Sequence, residues 1–233
     1  TERLGVTIRT GVKVNAIERA DGQLHVRFEH DGKAQTVRAD RVVNGAGRIA
    51  DVEGLNLDAA GVRHDGIRIE LDPYLRSVSN PAVWVTGDAV ATTAQLSPIA
   101  TYEGQTVGHN IVNGPTKVPD YTVLPSAVFT VPALASVGLT GKEAADRGLD
   151  VTVTTTDMTG WFSARSYGET VAWAKVLVDK ATDRIVGAHL VGHHGEELIH
   201  LFALAMRQGI SATDLRDLPT AYPTFASDMK NLF

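Results

Sequence analysis

The stretch Val83-Trp84-Val85-Thr86-Gly87-Asp88 predicts an apolar β-strand that ends abruptly at a glycine and an aspartate. It places the Asp88 carboxylate at the C-terminal end of a buried strand. Ligands of α/β sheets bind in the crevice outside such strand ends, and a carboxylate there can accept hydrogen bonds from a polyol chain. The alternative is an aspartate that only shapes a turn.

A helix is predicted shortly after this strand, over residues 98–112. Ser97 is typical of an N-cap, Pro98 of the first helical position and Gly114 of a helix end. The free N–H groups of the first helical turn would attract the electron-rich edge of a ring bound near Asp88. This neighbouring helix favours a ligand site at Asp88 over a simple turn.

Strands are predicted on both sides of this centre. Upstream, Asp21-Gly22 and Asp31-Gly32 are favoured hairpin turns, so residues 12–17, 24–28 and 36–39 form a β-meander. A buried strand at Val42-Val43 and a half-buried strand at residues 66–71 follow. A linker with Pro115, Pro119 and Pro125 follows. Downstream of it, strands are predicted at residues 127–130, 151–156, 171–178 and 185–191. Two helices are also predicted, one opened by the Thr140–Glu143 capping box and one over residues 196–208.

Composition excludes several classes of function. The 233 residues contain 22 basic and 27 acidic side chains, a net charge of -5, which argues against a nucleic-acid or anionic-membrane surface. The chain has no cysteine, so it holds no disulfide, thiolate metal site or thiol nucleophile. It has no apolar run near the roughly 20 residues of a membrane-spanning helix, and no secretory signal. We expect a soluble, cytoplasmic protein that binds neither nucleic acid nor membrane.

Two further patterns carry weaker signals. Residues 45–50 fit the dinucleotide motif G-x-G-x-x-A, but Gly54 and the polar residues 56–58 interrupt the helix that would bind a pyrophosphate, so a tight turn is the better interpretation. His193, His194 and His200 invite a metal site. Their spacing with Glu196 and Glu197 is not that of a metal motif, and two acids suit the first turn of a helix without any metal. We expect no metal.

The order of these features resembles the FAD-dependent pyridine nucleotide-disulfide oxidoreductases, the family of glutathione reductase, mercuric reductase and dihydrolipoamide dehydrogenase. The resemblance covers nearly the whole chain. Its motifs are residues 41–48 (RVVNGAGR), 61–72 (GVRHDGIRIELD), 83–90 (VWVTGDAV), 95–100 (QLSPIA), 129–132 (FTVP), 137–140 (VGLT) and 195–199 (GEELI).

The resemblance implies an α+β fold: a C-terminal dimerisation domain with an antiparallel sheet and helices, after remnants of the NAD(P)- and FAD-binding α/β domains. It implies a nucleotide-domain remnant at residues 1–47, a flavin-facing segment at 48–117 and a dimerisation domain at 118–233. FAD and NAD(P)H are the implied cofactors, a homodimer and a small-molecule acceptor the implied partners. The implied cofactor-binding residues are Gly47, Gly87, Asp88, Leu96, Ser97 and Ala100.

The opening of the chain fits the same resemblance. It begins at Thr1 rather than Met and enters an apolar segment at Leu4–Ile8, which indicates a piece of a larger protein. The family's FAD fold, redox cysteines and glycine-rich nicotinamide loop would then precede it. We expect the chain alone to be inactive and to bind FAD weakly.

Tyr222 stands where the disulfide reductases have the histidine of their His-Pro-Thr-x-x-Glu motif, and Ser227 stands in place of the glutamate. A histidine–carboxylate pair tunes a base near neutral pH, whereas a phenol of ordinary pKa, about 10, is mostly protonated there. The resemblance therefore favours a relative that passes electrons to a quinone or a nicotinamide, with Tyr222 as a proton donor or as an aromatic filling the dimer seam. The alternatives are a disulfide reductase and a non-catalytic dimerisation module.

Overall fold

In the computed structural model, which describes residues 5–90 and 94–233, the β-meander forms as predicted. Strands β1 (Lys13–Ala20), β2 (Gln23–His30) and β3 (Lys33–Ala39) pair antiparallel in that order. Asp21-Gly22 and Asp31-Gly32 have φ of 51° and 79°, and of 51° and 70°, the left-handed values that a tight hairpin turn requires. Leu4, where the predicted opening segment begins, lies outside the described residues.

The strand predicted at Val42-Val43 is wrong. This segment pairs with no strand among the described residues, and Val43 is 90% exposed. Apolar character alone does not make a strand, because backbone N–H and C=O groups need a partner strand to satisfy them.

The prediction of one continuous strand at residues 66–71 is wrong. That strand is replaced by a short hairpin of β4 (His64–Asp65) and β5 (Arg68–Ile69), which turns at Gly66. The alternation of side chains is nevertheless correct, since Ile69 is buried between the exposed Arg68 and Glu70.

Residues 83–85 form an extended, partly buried segment rather than a strand of a larger sheet. Trp84 makes an isolated bridge with Arg76, and the Val85 N–H donates to the Leu75 carbonyl at 3.0 Å. Val85 packs into the first hydrophobic core, whose buried members are Val52, Leu57, Val62, Ile69, Leu75, Val85, Val90 and Val107.

Helix α1 (Ser97–Asn113) runs as predicted but includes Ser97 itself. The Leu96 carbonyl accepts the N–H groups of Ile99 and Ala100, both at 3.0 Å, so the helix begins at the predicted cap Ser97, one residue before the predicted start at Pro98. Gly114 follows with a φ of 80°, the left-handed value typical of a residue after a helix.

The second half of the chain contains a five-stranded antiparallel sheet. Its strand order is β6-β7-β10-β9-β8. The strands are β6 (Ser126–Val128), β7 (Ala133–Gly138), β8 (Val151–Asp157), β9 (Trp173–Asp179) and β10 (Arg184–Gly192). Four of the five were predicted; β7 was missed because its alternating residues are small, so the apolar signal is weak.

The long helix of this half, α4 (Gly195–Gln208), packs on the sheet and ends at Gly209 as predicted. Ile199 and Phe202 of α4 join the second core, with Ala135, Val176 and Leu190 of the sheet. The predicted capping box opens α2 (Gly141–Asp146). Three short helices were not predicted: α3 (Phe162–Ser166), α5 (Ala212–Asp217) and α6 (Phe225–Asp228).

The chain divides into two units, residues 1–107 and 108–233. The three-part division at residues 47 and 117 stays a prediction. Helices combined with antiparallel sheets confirm the α+β class. Across residues 5–90 and 94–233, none of the helices has the length and apolar character that crossing a membrane would need.

Candidate functional site

The turn that carries Asp88 is confined by its neighbours. Residues Gly87–Ala89 form one 3₁₀ turn, in which the Val90 N–H donates to the Gly87 carbonyl at 2.9 Å. Gly87 has a φ of 67°, and a Cβ added to it would lie 3.2 Å from the Cβ of Ala100. Both the backbone conformation and the close approach of α1 therefore disfavour a side chain at position 87.

Arg48 joins the Asp88 turn from an earlier part of the chain. Its guanidinium lies 3.5 Å from the Asp88 carboxylate, whose side chain is 34% exposed. The Gln95 amide donates to the Arg48 carbonyl at 3.4 Å, and Gly47, with a φ of 96°, turns the backbone just before Arg48. Residues 45–52 form no helix and the backbone bends at Ala46, so the G-x-G-x-x-A pattern does not open a helix here. Its interpretation as a tight turn stays a prediction.

These contacts bring the predicted cofactor-binding residues into one region of the first unit. Asp88 supplies a hydrogen-bond acceptor beside the Arg48 cation. Ala100 touches the Gly87 position from the first turns of α1, and Leu96 and Ser97 stand at the start of the same helix. The roles assigned to Gly47, Gly87, Asp88, Leu96, Ser97 and Ala100 stay predictions.

Glu103 belongs to the same region and was missed. Its side chain is fully buried, and its Oε2 accepts the Gly87 N–H at 2.6 Å. Glu103 lies three residues after Ala100 and four before Val107, on the face of α1 that packs against this turn. A glutamate on the buried face of a helix was the sequence signal that would have identified it.

Tyr222 lies in the second unit and is 72% exposed. Its ring centroid is 5.9 Å from that of Phe162. Ser227 is buried, and its hydroxyl donates to the Thr224 carbonyl at 2.6 Å and accepts the Thr224 N–H at 3.1 Å. Ser227 thus closes the turn after Tyr222-Pro223 as half of a capping box.

Four rings pack next to that turn. The rings of Tyr167, His193, His194 and Phe225 lie with centroids 4.1–6.2 Å apart in all pairs. The His193 ring is 3.6 Å from the Glu169 carboxylate. The sequence placed both histidines in a candidate metal cluster; within the described part of the chain, no three acidic or histidine side chains are arranged to hold a metal ion.

Comparison with known proteins covers most of the chain. Residues 1–104 match the family described as pyridine nucleotide-disulphide oxidoreductase, and residues 124–233 match the dimerisation domain of that family. A Staphylococcus aureus protein, described as an uncharacterized 19.7 kDa protein in the mercuric resistance operon, is 41% identical over 179 residues, which are 76% of this chain and 99% of that protein. The chain belongs to the pyridine nucleotide-disulphide oxidoreductase family.

Longer members of this family are similar along the whole chain. Dihydrolipoyl dehydrogenase of Mycobacterium tuberculosis is 33% identical over 234 residues, which are 100% of this chain and 50% of that enzyme. The solved structure of a Cu(II) complex of the Escherichia coli HOCl-induced flavoprotein disulfide reductase RclA, in a cysteine-to-serine mutant, covers 99% of this chain and 52% of the RclA chain, with a TM-score of 0.89 and 24% identity. The chain spans about half the length of these two relatives.

The family assignment confirms the resemblance found in the motifs. Its named relatives include dihydrolipoyl dehydrogenase, mercuric reductase and glutathione reductase. The enzymes of this family are oxidoreductases that use FAD and NAD(P)H.

Proposed function

We propose that this chain works within a cytoplasmic, homodimeric flavoprotein that passes electrons from NAD(P)H through FAD to a small-molecule acceptor. The observation that carries the proposal is the Asp88 turn, where an acidic side chain, the Arg48 guanidinium and the start of α1 meet. When bound, FAD would supply the hydride and electron chemistry. The residues of this chain hold and orient it.

The groups at this turn fit a flavin. Asp88 is partly exposed and accepts hydrogen bonds, which suits the hydroxyl groups of a ribityl chain. The backbone N–H groups near Leu96 and Ser97 stand at the positive end of the 17-residue helix α1, where they suit the electron-rich edge of an isoalloxazine ring. The half-buried Leu96 adds apolar surface for the flat ring.

We infer from Tyr222 that the acceptor is a quinone or a nicotinamide rather than a disulfide. The run from Tyr222 to Ser227 has no histidine–carboxylate pair, and the Ser227 hydroxyl is bonded to the backbone of Thr224. A thiolate leaving group needs a nearby acid and base, whereas an exposed phenol can donate a proton to a reduced quinone. A disulfide reductase is the second candidate, because the named relatives include glutathione reductase.

The test measures which electron acceptors are reduced by the protein expressed from its complete reading frame. NAD(P)H oxidation is measured with a quinone, a nicotinamide analogue and a set of disulfides. We expect turnover with the quinone or the nicotinamide analogue. Rapid turnover with a disulfide alone would favour the second candidate, and bound FAD without turnover on any acceptor would favour a non-catalytic dimerisation module.

The matched variant for the flavin site is Asp88→Asn, which keeps the size of the side chain and removes its charge. We expect it to weaken FAD binding at least tenfold, because an amide is a poorer acceptor than a carboxylate for two hydroxyl donors. Asp58→Asn, an exposed aspartate in the same unit, serves as the control. Unchanged FAD affinity in Asp88→Asn would contradict the proposed flavin site.

A further inference from the structure

We propose that Glu103 is a positioning residue, which sets the direction of Asp88 toward its ligand by holding the backbone of Gly87. The inference rests on the proposed role of Asp88 in binding the flavin. It adds a residue that belongs to none of the motifs by which the chain resembles its family.

A hydrogen bond joins the Glu103 side chain to the backbone before Asp88. The Glu103 Oε2 accepts the Gly87 N–H at 2.6 Å, and the Glu103 side chain is fully buried. A buried carboxyl group is costly unless it is hydrogen-bonded. The Gly87 N–H offsets part of the cost of burying Glu103. The same bond fixes the residue that precedes Asp88 at the edge of the candidate site.

Gly87 needs such contacts because its backbone has little intrinsic restraint. A glycine with a φ of 67° has no side chain to hold its conformation, and glycine visits many others at little cost. The Glu103 bond holds its N–H, the Val90 N–H bonds its carbonyl, and Ala100 packs against its Cα side. With these three contacts, the peptide that leads into Asp88 is confined to one orientation.

Helix α1 carries Glu103 and begins at the other half of the candidate site. Glu103 lies two turns into α1, and the first turn of the same helix presents Leu96 and Ser97. One side chain thus connects the two halves of the candidate flavin site, the Asp88 turn and the start of the helix. A flavin that contacts both halves needs their spacing fixed before it binds, because ordering them on binding would reduce affinity.

Glu103 acts through Gly87 and not on the ligand, since no part of its side chain reaches the surface. A positioning role and a direct contact with the flavin therefore predict different effects of a Glu103 substitution. A residue that touches the flavin would change affinity whether or not Asp88 is present. A residue that positions Asp88 loses its effect once Asp88 no longer binds.

The test is a double-mutant cycle on the protein expressed from its complete reading frame, with FAD affinity as the readout. We expect Glu103→Leu to weaken FAD binding at least tenfold in the wild-type background and less than threefold in the Asp88→Asn background. Glu103→Gln keeps an acceptor oxygen and should bind FAD within about threefold of wild type. An equal loss from Glu103→Leu in both backgrounds would overturn the positioning role.

Folding is controlled with Thr106→Val, which removes another buried polar group one turn further along α1. The Thr106 hydroxyl has no hydrogen-bond partner among residues 5–90 and 94–233, so this variant should leave FAD affinity unchanged. If Glu103→Leu does not fold, the cycle is run with Glu103→Ala under the same criterion. If Asp88→Asn alone leaves FAD binding unchanged, the proposed flavin site fails; if it weakens binding while Glu103→Leu does not, only the inference about Glu103 fails.

Discussion

A side chain at position 87 would face two independent obstacles, the left-handed backbone and the Cβ of Ala100. The free-energy cost of each can be measured separately. Gly61 has nearly the same φ, 64° against 67°, but a Cβ there would meet nothing within 4 Å. Gly61→Ala therefore reports the backbone cost alone, about 1 kcal/mol in the free energy of unfolding. We expect Gly87→Ala to cost about 1–2 kcal/mol more, because the added methyl group meets Ala100.

Equilibrium urea denaturation of both variants measures the difference. Ala100→Gly removes the methyl group that Gly87→Ala would meet, so in an Ala100→Gly background Gly87→Ala should cost no more than Gly61→Ala costs in the wild type. Equal costs at positions 61 and 87 would show that the contact with Ala100 is unimportant.

Tyr222, which replaces the histidine of the disulfide reductases, has two possible roles: a proton donor or an aromatic that fills the dimer seam. Two substitutions at this position distinguish them. As a proton donor it should be sensitive to loss of its hydroxyl, so we expect Tyr222→Phe to lower turnover on a quinone about a hundredfold with FAD content unchanged. Steady-state kinetics of the holoenzyme measure this. Full activity in Tyr222→Phe, with a weakened dimer in Tyr222→Ala, would instead indicate an aromatic that fills the dimer seam.

At the scale of elements, the capping box of α2 makes stability depend on pH. The backbone N–H of Thr140 donates to the Glu143 carboxylate at 2.8 Å and its hydroxyl at 2.7 Å, and these bonds hold the pKa of Glu143 below its ordinary value. Because the pKa is lower in the folded state, the stabilisation is complete above the unfolded pKa, about 4.3, and is lost as pH falls through the folded pKa.

We therefore expect wild type to be more stable than Glu143→Gln at neutral pH, with the difference shrinking below about pH 4.3. Denaturation of both proteins over a pH series gives the two curves. In a Thr140→Ala background the hydroxyl donor is gone, so the pH-dependent difference should be smaller. An unchanged difference at all pH values would show that the Glu143 carboxylate is not stabilised by this cap.

Elements were predicted best where their signals are local. The Asp-Gly turns, the Thr140–Glu143 capping box and Gly209 after α4 all act within a few residues of themselves, and each lies where it was expected. The Val42-Val43 strand was wrong because a strand needs a neighbour that its own residues do not specify. The short helices α3, α5 and α6 were missed because helices of 4–6 residues are too short to show an apolar period.

At the scale of the whole molecule, the proposed homodimer would use apolar side chains that this chain leaves exposed. On α4, Leu204 is 53% exposed and Leu201 lies one turn before it on the outward side. We expect Leu204→Glu to raise the dimer dissociation constant at least tenfold, because a charge would be buried without a partner. Sedimentation velocity over a concentration series measures this constant.

Ala181→Glu is the matched control for the dimer, since it adds the same charge to the exposed turn between β9 and β10. It should leave the dissociation constant unchanged. A Leu204→Glu protein that stays dimeric at low concentration would place the interface away from α4.

The 233-residue chain by itself offers a further test at this scale. It carries the Asp88 turn and spans about half the length of these longer relatives. We expect FAD to bind the 233-residue chain at least a hundredfold more weakly than it binds the full-length dihydrolipoyl dehydrogenase of Mycobacterium tuberculosis, because the chain lacks a counterpart to the other half of that enzyme. Titration followed by flavin fluorescence tests this, and a stoichiometric yellow complex of the 233-residue chain would contradict it.

The sequence by itself determined the family, the class of fold and the members of the candidate site that lie within recognisable motifs. Turns, caps and helix ends depend on neighbouring residues, and the order of the motifs along the chain carries the resemblance. Only the tertiary structure decided that Arg48 meets Asp88 and that Glu103 holds Gly87. Both contacts join elements that are distant in the sequence, and the identity of adjacent residues does not specify such contacts.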